Sequence, residues 1–290
     1  MKHSTSPLHP SRSRFCRPLA WALFVCTLAL SACGRDTPPA ASDPTHGSTE
    51  PEIELDVPFV PTPHEIVSRM LEIAEVGAED YLIDLGSGDG RIVISAVRDR
   101  GARAALGVEI DPERIAEANA AARAAGVEDR VTFEMGDLFE KDFSEATVLT
   151  MYLLEWINLA LRPTILETLA PGSRVVSHVF DMGDWTPDHR ERIGSVDVYF
   201  WIVPARVGGT WSLVREGASP MIIEFEQQYQ RIAGHARIDG RHVALVEPTL
   251  RGDEIRFRIG DTAFAGRVQG DRIETIDPAG PSGPWHARRE

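Results

Sequence analysis

Residues 84–91 read Asp84-Leu85-Gly86-Ser87-Gly88-Asp89-Gly90-Arg91. This glycine-rich segment lies between a predicted strand over residues 81–85 and a predicted helix over residues 90–97. Glycines at alternate positions let the backbone turn sharply and approach a bound ligand closely. A strand, a glycine loop and a helix in this order are typical of nucleotide sites at the strand ends of parallel α/β sheets. The segment therefore predicts a ligand site after the first strand.

The chain around this loop alternates between strand and helix patterns from residue 57 to about residue 205. Apolar runs predict four further strands, at residues 104–109, 131–135, 146–152 and 173–180. Helical spacing of apolar residues predicts helices at residues 62–76 and 157–169. Another helix has Asp111 as its N-cap and Pro112 in its first turn, and it ends before Gly126. This alternation predicts an α/β domain, a Rossmann-like, mainly parallel sheet with helices on both faces.

Acidic side chains follow the ends of three successive predicted strands. Asp84 ends the first strand, Glu109 ends the second, and Gly136-Asp137 follows the third. The Glu109 carboxylate can accept both hydroxyl hydrogens of a ribose, which leaves a dinucleotide and S-adenosylmethionine as candidate ligands. A dinucleotide fingerprint requires glycine where Arg91 stands, and Asp89 would repel a pyrophosphate. The residues therefore favour S-adenosylmethionine, whose ammonium can pair with Asp84 and whose adenine amino group can donate to Asp137.

These motifs resemble the class I, seven-stranded S-adenosylmethionine-dependent methyltransferases over roughly residues 57–205. Residues 57–62, 84–91 and 174–185 are more narrowly similar to the small group that contains the mitochondrial-membrane protein-lysine methyltransferases. The resemblance implies that Pro61 and Thr62 help to close the methionine end of the cofactor site. It also implies that the region after the fourth strand faces the substrate, although residues 151–156 lack the proline that relatives tend to have there. The absence of an Asn-Pro-Pro-Tyr motif disfavours methylation of DNA, glutamine or adenine.

The strand ends, the loop and the resemblance together define the candidate site. The cofactor-binding candidates are Pro61, Thr62, Asp84, Gly86, Ser87, Gly88, Gly90, Glu109 and Asp137. The candidates for orienting an amine acceptor and accepting its proton are Tyr152, Glu155, Asp181 and Asp184. Trp185 is a candidate cation–π face. For each of these five, packing or a surface position is the alternative, and we expect His178 to be a structural histidine.

The N-terminus has the pattern of a bacterial lipoprotein signal. Basic residues precede a 14-residue, largely apolar run, residues 19–32, which is shorter than the about 20 residues of a membrane-spanning helix. The sequence Leu30-Ser31-Ala32-Cys33 resembles a lipobox, so we expect residues 1–32 to be a signal peptide and Cys33 to carry lipid. Residues 33–56 have the Pro-, Ser- and Asp-rich composition of a disordered tether. The alternatives are a conventional signal peptide or an uncleaved inner-membrane anchor.

The last part of the chain has a different pattern. Turn-like glycines recur at Gly240, Gly252, Gly260 and Gly270, and alternating apolar and polar residues lie between them. This spacing predicts that residues 206–290 form a small antiparallel β domain, a meander or a barrel. We expect a few exposed residues near Pro204 to join it to the methyltransferase domain at residues 57–205.

Composition and motifs exclude several classes of function. The 44 acidic and 30 basic residues give a formal charge of −14, which disfavours nucleic acid as a partner. No cluster has metal-ligand spacing and no Gly-x-Ser-x-Gly elbow is present, so we predict neither a metal site nor a serine hydrolase.

The residues and the resemblance together predict an S-adenosylmethionine-dependent methyltransferase. The resemblance implies a nitrogen acceptor such as a protein lysine, and a small molecule or another nucleophile is the alternative. We expect the protein to be anchored through Cys33 to the bacterial cell envelope, on the periplasmic or outer-membrane side. Because S-adenosylmethionine is made inside the cell, the alternative is a noncatalytic envelope lipoprotein that uses this fold for binding or as a scaffold.

Overall fold

The computed structural model describes residues 59–290, which form two β-sheets. The predicted signal peptide, the lipidation site Cys33 and the tether at residues 33–56 lie outside the described residues. Within residues 59–290, no helix combines the length and the apolar character that crossing a bilayer requires.

The first sheet has seven strands in the order β3-β2-β1-β4-β5-β7-β6. Strands β1 to β5 run parallel, and β7 is antiparallel to β5 and to β6. This confirms the predicted Rossmann-like sheet. In chain order the elements are α1 His64–Ile73, β1 Tyr81–Leu85, α2 Arg91–Arg98, β2 Ala104–Glu109, α3 Pro112–Ala125, β3 Val131–Met135, β4 Val148–Met151, α4 Glu155–Thr168, β5 Arg174–His178, β6 His189–Ile193 and β7 Val196–Ile202.

Helices cover both faces of this sheet because its central strands β1, β4 and β5 are buried on both sides. In β1, Leu82 packs into the cluster formed with α1, α2 and α3, whereas Ile83 and Leu85 pack into the cluster formed with α4. Strands that are buried on both faces are typical of parallel sheets. The parallel strands consequently deliver their C-terminal ends to one edge, where the connecting loops meet.

Helix α3 has the two ends that the sequence predicts. The Asp111 carboxylate accepts a hydrogen bond from the Glu113 backbone N–H (2.8 Å), with Pro112 at the first helical position, and Gly126 ends the helix at φ +66°. Helix α4 begins at Glu155, two residues earlier than predicted. An acidic residue in the first turn is favourable because it faces the positive end of the helix dipole, and Pro163 is accommodated inside this helix.

The second sheet is antiparallel throughout and curls into a nearly closed barrel, as predicted for residues 206–290. Its order is β11-β10-β9-β8-β16-β15-β14-β13-β12. The two edge strands β11 and β12 are separated in sequence only by Leu245, whose N–H donates to the Gly234 carbonyl (3.0 Å). The strands are β8 Gly209–Arg215, β9 Met221–Gln228, β10 Arg231–Ile238, β11 Arg241–Ala244, β12 Val246–Arg251, β13 Glu254–Ile259, β14 Thr262–Gln269, β15 Arg272–Thr275 and β16 Trp285–Arg289.

The junction between the two sheets is largely buried, whereas a few exposed residues were predicted near Pro204. Pro204, Ala205 and Val207 are buried, and Arg206 among them is exposed. The Ala205 N–H donates to the carbonyl of Gly252 in the barrel (2.8 Å). A Cβ atom at Gly252 would lie 3.0 Å from the Gly172 Cα atom, so the barrel backbone lies directly against the turn before β5.

A second set of contacts joins the barrel to the first sheet at Trp185. This side chain is fully buried, and its indole N–H donates to the Gln230 side chain of the barrel (3.0 Å). The Tyr229 ring stacks on Trp185 with centroids 6.0 Å apart and packs against the core on the α4 side. The Tyr229 hydroxyl donates to Asp184 (3.1 Å). The two sheets therefore share a packed boundary.

We expect this boundary to make the two sheets unfold together. Tyr229→Ala should lower the free energy of unfolding by about 1–2 kcal/mol through loss of the ring contact with Trp185. Tyr229→Phe keeps the ring and loses only the exposed hydrogen bond to Asp184, so it should cost less. Urea unfolding followed by circular dichroism measures both. Two separate transitions in the wild type, with neither shifted in Tyr229→Ala, would contradict a shared boundary.

Candidate functional site

The glycine loop is fastened to the end of β2 by backbone hydrogen bonds. The N–H groups of Gly86 and Ser87 both donate to the Val108 carbonyl, at 2.9 and 3.0 Å. Gly86, Gly88 and Gly90 have φ values of +74°, +52° and +77°, which side chains with a Cβ atom rarely adopt. The loop therefore crosses the sheet edge in a conformation that these glycines allow.

Close packing also requires glycine in and beside this loop. A Cβ atom at Gly88 would lie 2.3 Å from the Phe59 ring, and one at Gly90 would lie 2.4 Å from the Phe133 ring. At Gly107 in β2, a Cβ atom would lie 2.5 Å from the Ser87 hydroxyl oxygen. That hydroxyl is buried and has no hydrogen-bond partner within residues 59–290.

The Glu109 carboxylate connects three backbone segments. One oxygen accepts the N–H of Gly88 (2.7 Å), and the other accepts the N–H groups of Ile110 (2.9 Å) and Asp111 (3.1 Å). The carboxylate thus holds the glycine loop beside the start of α3. Glu109 is half-buried and lines a cavity beside the glycine loop, so its carboxylate is not fully solvated.

Asp84 is a buried carboxyl group beneath the loop. Its exposure is 1%, and its oxygen accepts a hydrogen bond from the Thr150 hydroxyl (2.7 Å), the residue paired with it across β1 and β4. Burial raises the pKa of Asp84 to about 8; the Thr150 hydrogen bond opposes the rise, and the negative charges of Glu109 and Asp89 add to it. A cationic group that enters the site would favour the ionised carboxylate.

Residues 59–62, which we name the strap, lie over the glycine loop. The Phe59 ring contacts Gly88 and has the Arg114 guanidinium over it, 4.7 Å from the ring centroid. At the other end of the strap, the Arg91 guanidinium donates to the Thr62 carbonyl (2.8 Å) and to the Asp89 carboxylate. The arginine that breaks the dinucleotide fingerprint therefore links the loop to the strap.

The strap, the loop and the strand ends enclose a cavity of about 180 Å³. Its walls include seven of the nine predicted cofactor residues, Pro61, Thr62, Asp84, Gly86, Ser87, Glu109 and Asp137. The other two, Gly88 and Gly90, shape the loop from outside the lining. Asp137 accepts the Phe139 N–H (2.8 Å), which sets the turn after β3.

Of the four predicted acceptor-side residues, only Tyr152 lines this cavity. Glu155 is exposed in the first turn of α4, and Asp181 accepts the Gly183 N–H (2.9 Å) in the turn after β5. The exposed Asp184 contacts Tyr229 and Arg162 at the barrel boundary, and its hydrogen bond from Tyr229 lowers its pKa. The expected cation–π role of Trp185 was wrong because that ring is fully buried.

Several site residues were missed in the sequence. Three of them, Asp111, Arg114 and Trp156, line the cavity. Arg91 binds the strap, and the Thr150 hydroxyl donates to Asp84. Thr150 lies beside Asp84 because of the register between β1 and β4. The sequence of the fourth strand does not show which of its residues pairs with Asp84. In the sequence, Arg91 was notable only because it replaces a glycine of the dinucleotide fingerprint, and this did not indicate its contact with the strap. Within residues 59–290, no group of three or more His, Cys, Asp or Glu side chains could hold a metal ion.

Comparison with known proteins identifies the family. The sequence model of the ANTKMT methyltransferase domain matches residues 84–189. A protein-lysine N-methyltransferase of Saccharolobus islandicus (strain REY15A) is 51% identical over 131 residues, which cover 45% of this chain and 81% of that protein. The chain belongs to the ANTKMT family of S-adenosylmethionine-dependent methyltransferases.

A second relative in this family aligns over a smaller share of its length. The adenine nucleotide translocase lysine N-methyltransferase of Mus musculus is 30% identical over 152 residues, which cover 51% of this chain and 66% of that protein. Each of the two alignments thus extends over about half of this chain.

A solved structure adds the cofactor. An RNA methyltransferase from Salinibacter ruber, in complex with S-adenosyl-L-homocysteine, is 53% identical with a TM-score of 0.50. The match covers 51% of this chain and 96% of that one. The cofactor of this methyltransferase is therefore S-adenosylmethionine.

The cavity residues fit this cofactor. We expect the Asp84 carboxylate to bind the ammonium, Glu109 the ribose hydroxyls and Asp137 the adenine amino group. The buried Ser87 hydroxyl, which has no hydrogen-bond partner within residues 59–290, adds a polar group to the cavity wall.

Removing the Glu109 carboxylate should weaken cofactor binding. Charge-assisted hydrogen bonds contribute about 1.5–3 kcal/mol, so Glu109→Ala should weaken S-adenosylmethionine binding by about tenfold to a hundredfold or more. Calorimetric titration measures the affinity, and Glu113→Ala, in the exposed first turn of α3, is the matched control. Equal affinity in wild type and Glu109→Ala, with unfolding temperatures showing both folded, would refute the ribose assignment.

The raised pKa of Asp84 predicts a pH-dependent affinity. Because the ligand-free carboxyl is protonated below about pH 8 and the cofactor ammonium favours the carboxylate, affinity should rise by up to about tenfold per unit between pH 5.5 and 7.5. Asp84→Asn should bind more weakly and lose this slope. A flat wild-type profile would contradict the assignment.

The raised pKa of Asp84 lowers the stability of the ligand-free protein as the pH rises, whereas it makes cofactor affinity increase. Asp84 binds its proton more tightly when folded, so its contribution to stability is greatest below about pH 4 and is lost as the pH rises to about 8. Asp84→Asn should therefore gain stability relative to wild type as the pH rises through this window, which unfolding at several pH values measures.

Proposed function

We propose that this methyltransferase transfers the methyl group to lysine side chains of a protein. The Saccharolobus islandicus relative is named a protein-lysine methyltransferase, and the Mus musculus relative is named for a lysine of the adenine nucleotide translocase. The charges around the cavity give independent support.

The observation that carries the proposal is the pairing of the cavity arginines. Among the described residues that line the cavity, the basic side chains are Arg91 and Arg114. Arg91 is paired with Asp89, and Arg114 is paired with Asp111 and Glu117. A nucleic acid requires cations that are free to neutralise phosphates, whereas these are neutralised within the protein. A net charge of −14 also favours a cationic acceptor.

Aromatic side chains form the wall where an acceptor would enter. Tyr152 and Trp156 line the cavity beyond the end of β4, and the exposed Phe139 ring stacks on Trp156 with centroids 6.3 Å apart. Aromatic faces bind ammonium groups and the methylated amines that form from them. We infer that this wall admits the lysine side chain and holds its nitrogen in line.

The protein's part in the reaction is mainly positional. The cofactor supplies a methyl group on a sulfonium, which is a good leaving group, so alignment of the acceptor provides much of the rate enhancement. A lysine ammonium, whose ordinary pKa is about 10.4, must first lose a proton. Tyr152 is the predicted acceptor-side residue that lies at the cavity, so we assign it the orientation of the amine.

The test offers poly-L-lysine, L-lysine as a free amine, and total RNA to the protein with radiolabelled S-adenosylmethionine. We expect label in poly-L-lysine, recovered as methyl-lysine after hydrolysis, and none in poly-L-lysine whose amines have been blocked by acetylation. Tyr152→Ala should lower the transfer rate by at least about tenfold while cofactor affinity changes less, because orientation is lost and the acids remain.

Three other results would each overturn the proposal. Label confined to RNA would assign this chain the activity named for the Salinibacter ruber protein. Label confined to free amines would assign a small-molecule acceptor. Tight cofactor binding without transfer to any acceptor would favour the noncatalytic scaffold.

We propose separately that the protein is exported and anchored through lipid on Cys33 to the bacterial cell envelope, on the periplasmic or outer-membrane side. The support is the lipobox-like Leu30-Ser31-Ala32-Cys33 sequence. Growth with a fatty-acid analogue should label the wild type and leave Cys33→Ser unlabelled and uncleaved. Labelling that is unchanged in Cys33→Ser would refute lipidation at this residue, and an unlabelled, uncleaved, membrane-bound wild type would support an inner-membrane anchor.

A further inference from the structure

His178 is a buried histidine at the end of β5 that contacts two sides of the cofactor cavity. Only 2% of it is exposed. Its Nδ1 atom lies 3.3 Å from the Thr62 hydroxyl oxygen, and its ring centroid lies 4.1 Å from that of Tyr152. Both Thr62 and Tyr152 line the cavity. His178 thus lies behind the cavity wall, between the strap and the chain that follows β4.

The protein retains two unfavourable features at this histidine. Its Nε2 atom is buried without a hydrogen-bond partner within residues 59–290, which is costly for a polar group. The next residue, Val179, has φ +71°, and the Phe180 N–H donates back to the His178 carbonyl (2.9 Å). A β-branched residue at the centre of this rare form of γ-turn is strained.

Strain and unsatisfied polar groups in one place are typical of functional sites. If residue 178 served only to fill space, an apolar side chain would avoid the unpartnered nitrogen. Burial lowers the pKa of His178 to about 4, so the imidazole is neutral near pH 7 and can form one donor and one acceptor contact. The contact that the structure shows is the one with Thr62.

Thr62 is held from two directions. Arg91 binds its backbone carbonyl, and His178 binds its side chain. The first contact fixes the strap to α2, and the second fixes it to the end of β5. Together they determine how closely the strap covers the cavity.

We propose that His178 is a positioning residue for methyl transfer, which fastens Thr62 of the strap to the end of β5 and thereby keeps the cavity closed over the bound cofactor. Its ring also supports Tyr152 from behind. The inference rests on the cofactor site and holds for any methyl acceptor. The role of His178 can therefore be refuted while lysine specificity stands, and lysine specificity can be refuted while the role of His178 stands.

The test measures how fast S-adenosylhomocysteine leaves the full-length protein. Thr62→Val and His178→Phe each remove the hydrogen bond while keeping a side chain of similar shape. Each should raise the dissociation rate by about threefold to tenfold. The double variant should be no faster than the faster single variant, because both changes remove one shared contact. Thr62→Ser and His178→Asn, which keep hydrogen-bonding groups, should stay closer to wild type.

Unfolding temperatures of the ligand-free variants separate this role from simple packing. Lower unfolding temperatures with unchanged dissociation rates would show that His178 is structural only and would overturn the proposal. Additive effects of Thr62→Val and His178→Phe would also overturn it, because the two residues would then act independently. If His178→Phe does not fold, the dissociation rates of Thr62→Val and Thr62→Ser provide the test. Equal dissociation rates in these two variants would refute the proposal.

Discussion

The cofactor site depends on one carboxylate that holds its surroundings in place. Glu109 accepts hydrogen bonds from the backbone of the glycine loop and from the two residues that lead into α3. We expect the same group to accept the ribose hydroxyls. The parallel pairing of β1 with β2 makes this possible, because it brings the loop after one strand beside the last residue of the next. Glu109 thus shapes the loop and contributes to the cavity wall.

Several features near Glu109 are energetically unfavourable for the folded protein. Asp84 is a carboxyl group buried away from solvent, Ser87 and His178 have buried atoms that lack partners within residues 59–290, and Val179 is strained. The large apolar clusters on both faces of the sheet stabilise the fold that retains these features. We expect a bound cofactor to provide a positive charge for the Asp84 carboxylate, so that the ionisation of this one group would link stability, pH and binding.

The sequence predicted those features that arise from local pattern. The ends of α3, the glycine loop and the acids after successive strands are short-range signals, and the four barrel glycines fall in turns with positive φ. Contacts set by strand register and by chain packing could not be read in this way. The pairing of Thr150 with Asp84, the hold of Arg91 on Thr62 and the burial of Trp185 against Gln230 all join residues distant in sequence.

The proposed reaction requires the cavity to bind S-adenosylmethionine with its methyl group directed toward Tyr152. The most direct measurement is a nuclear Overhauser experiment on the protein with bound S-adenosylmethionine carrying a ¹³C-labelled methyl group. We predict contacts from this methyl group to the Tyr152 ring protons, which disappear in Tyr152→Ala while the cofactor stays bound. Contacts to the Phe139 ring, with none to Tyr152, would place the methyl group elsewhere in the cavity and contradict this orientation.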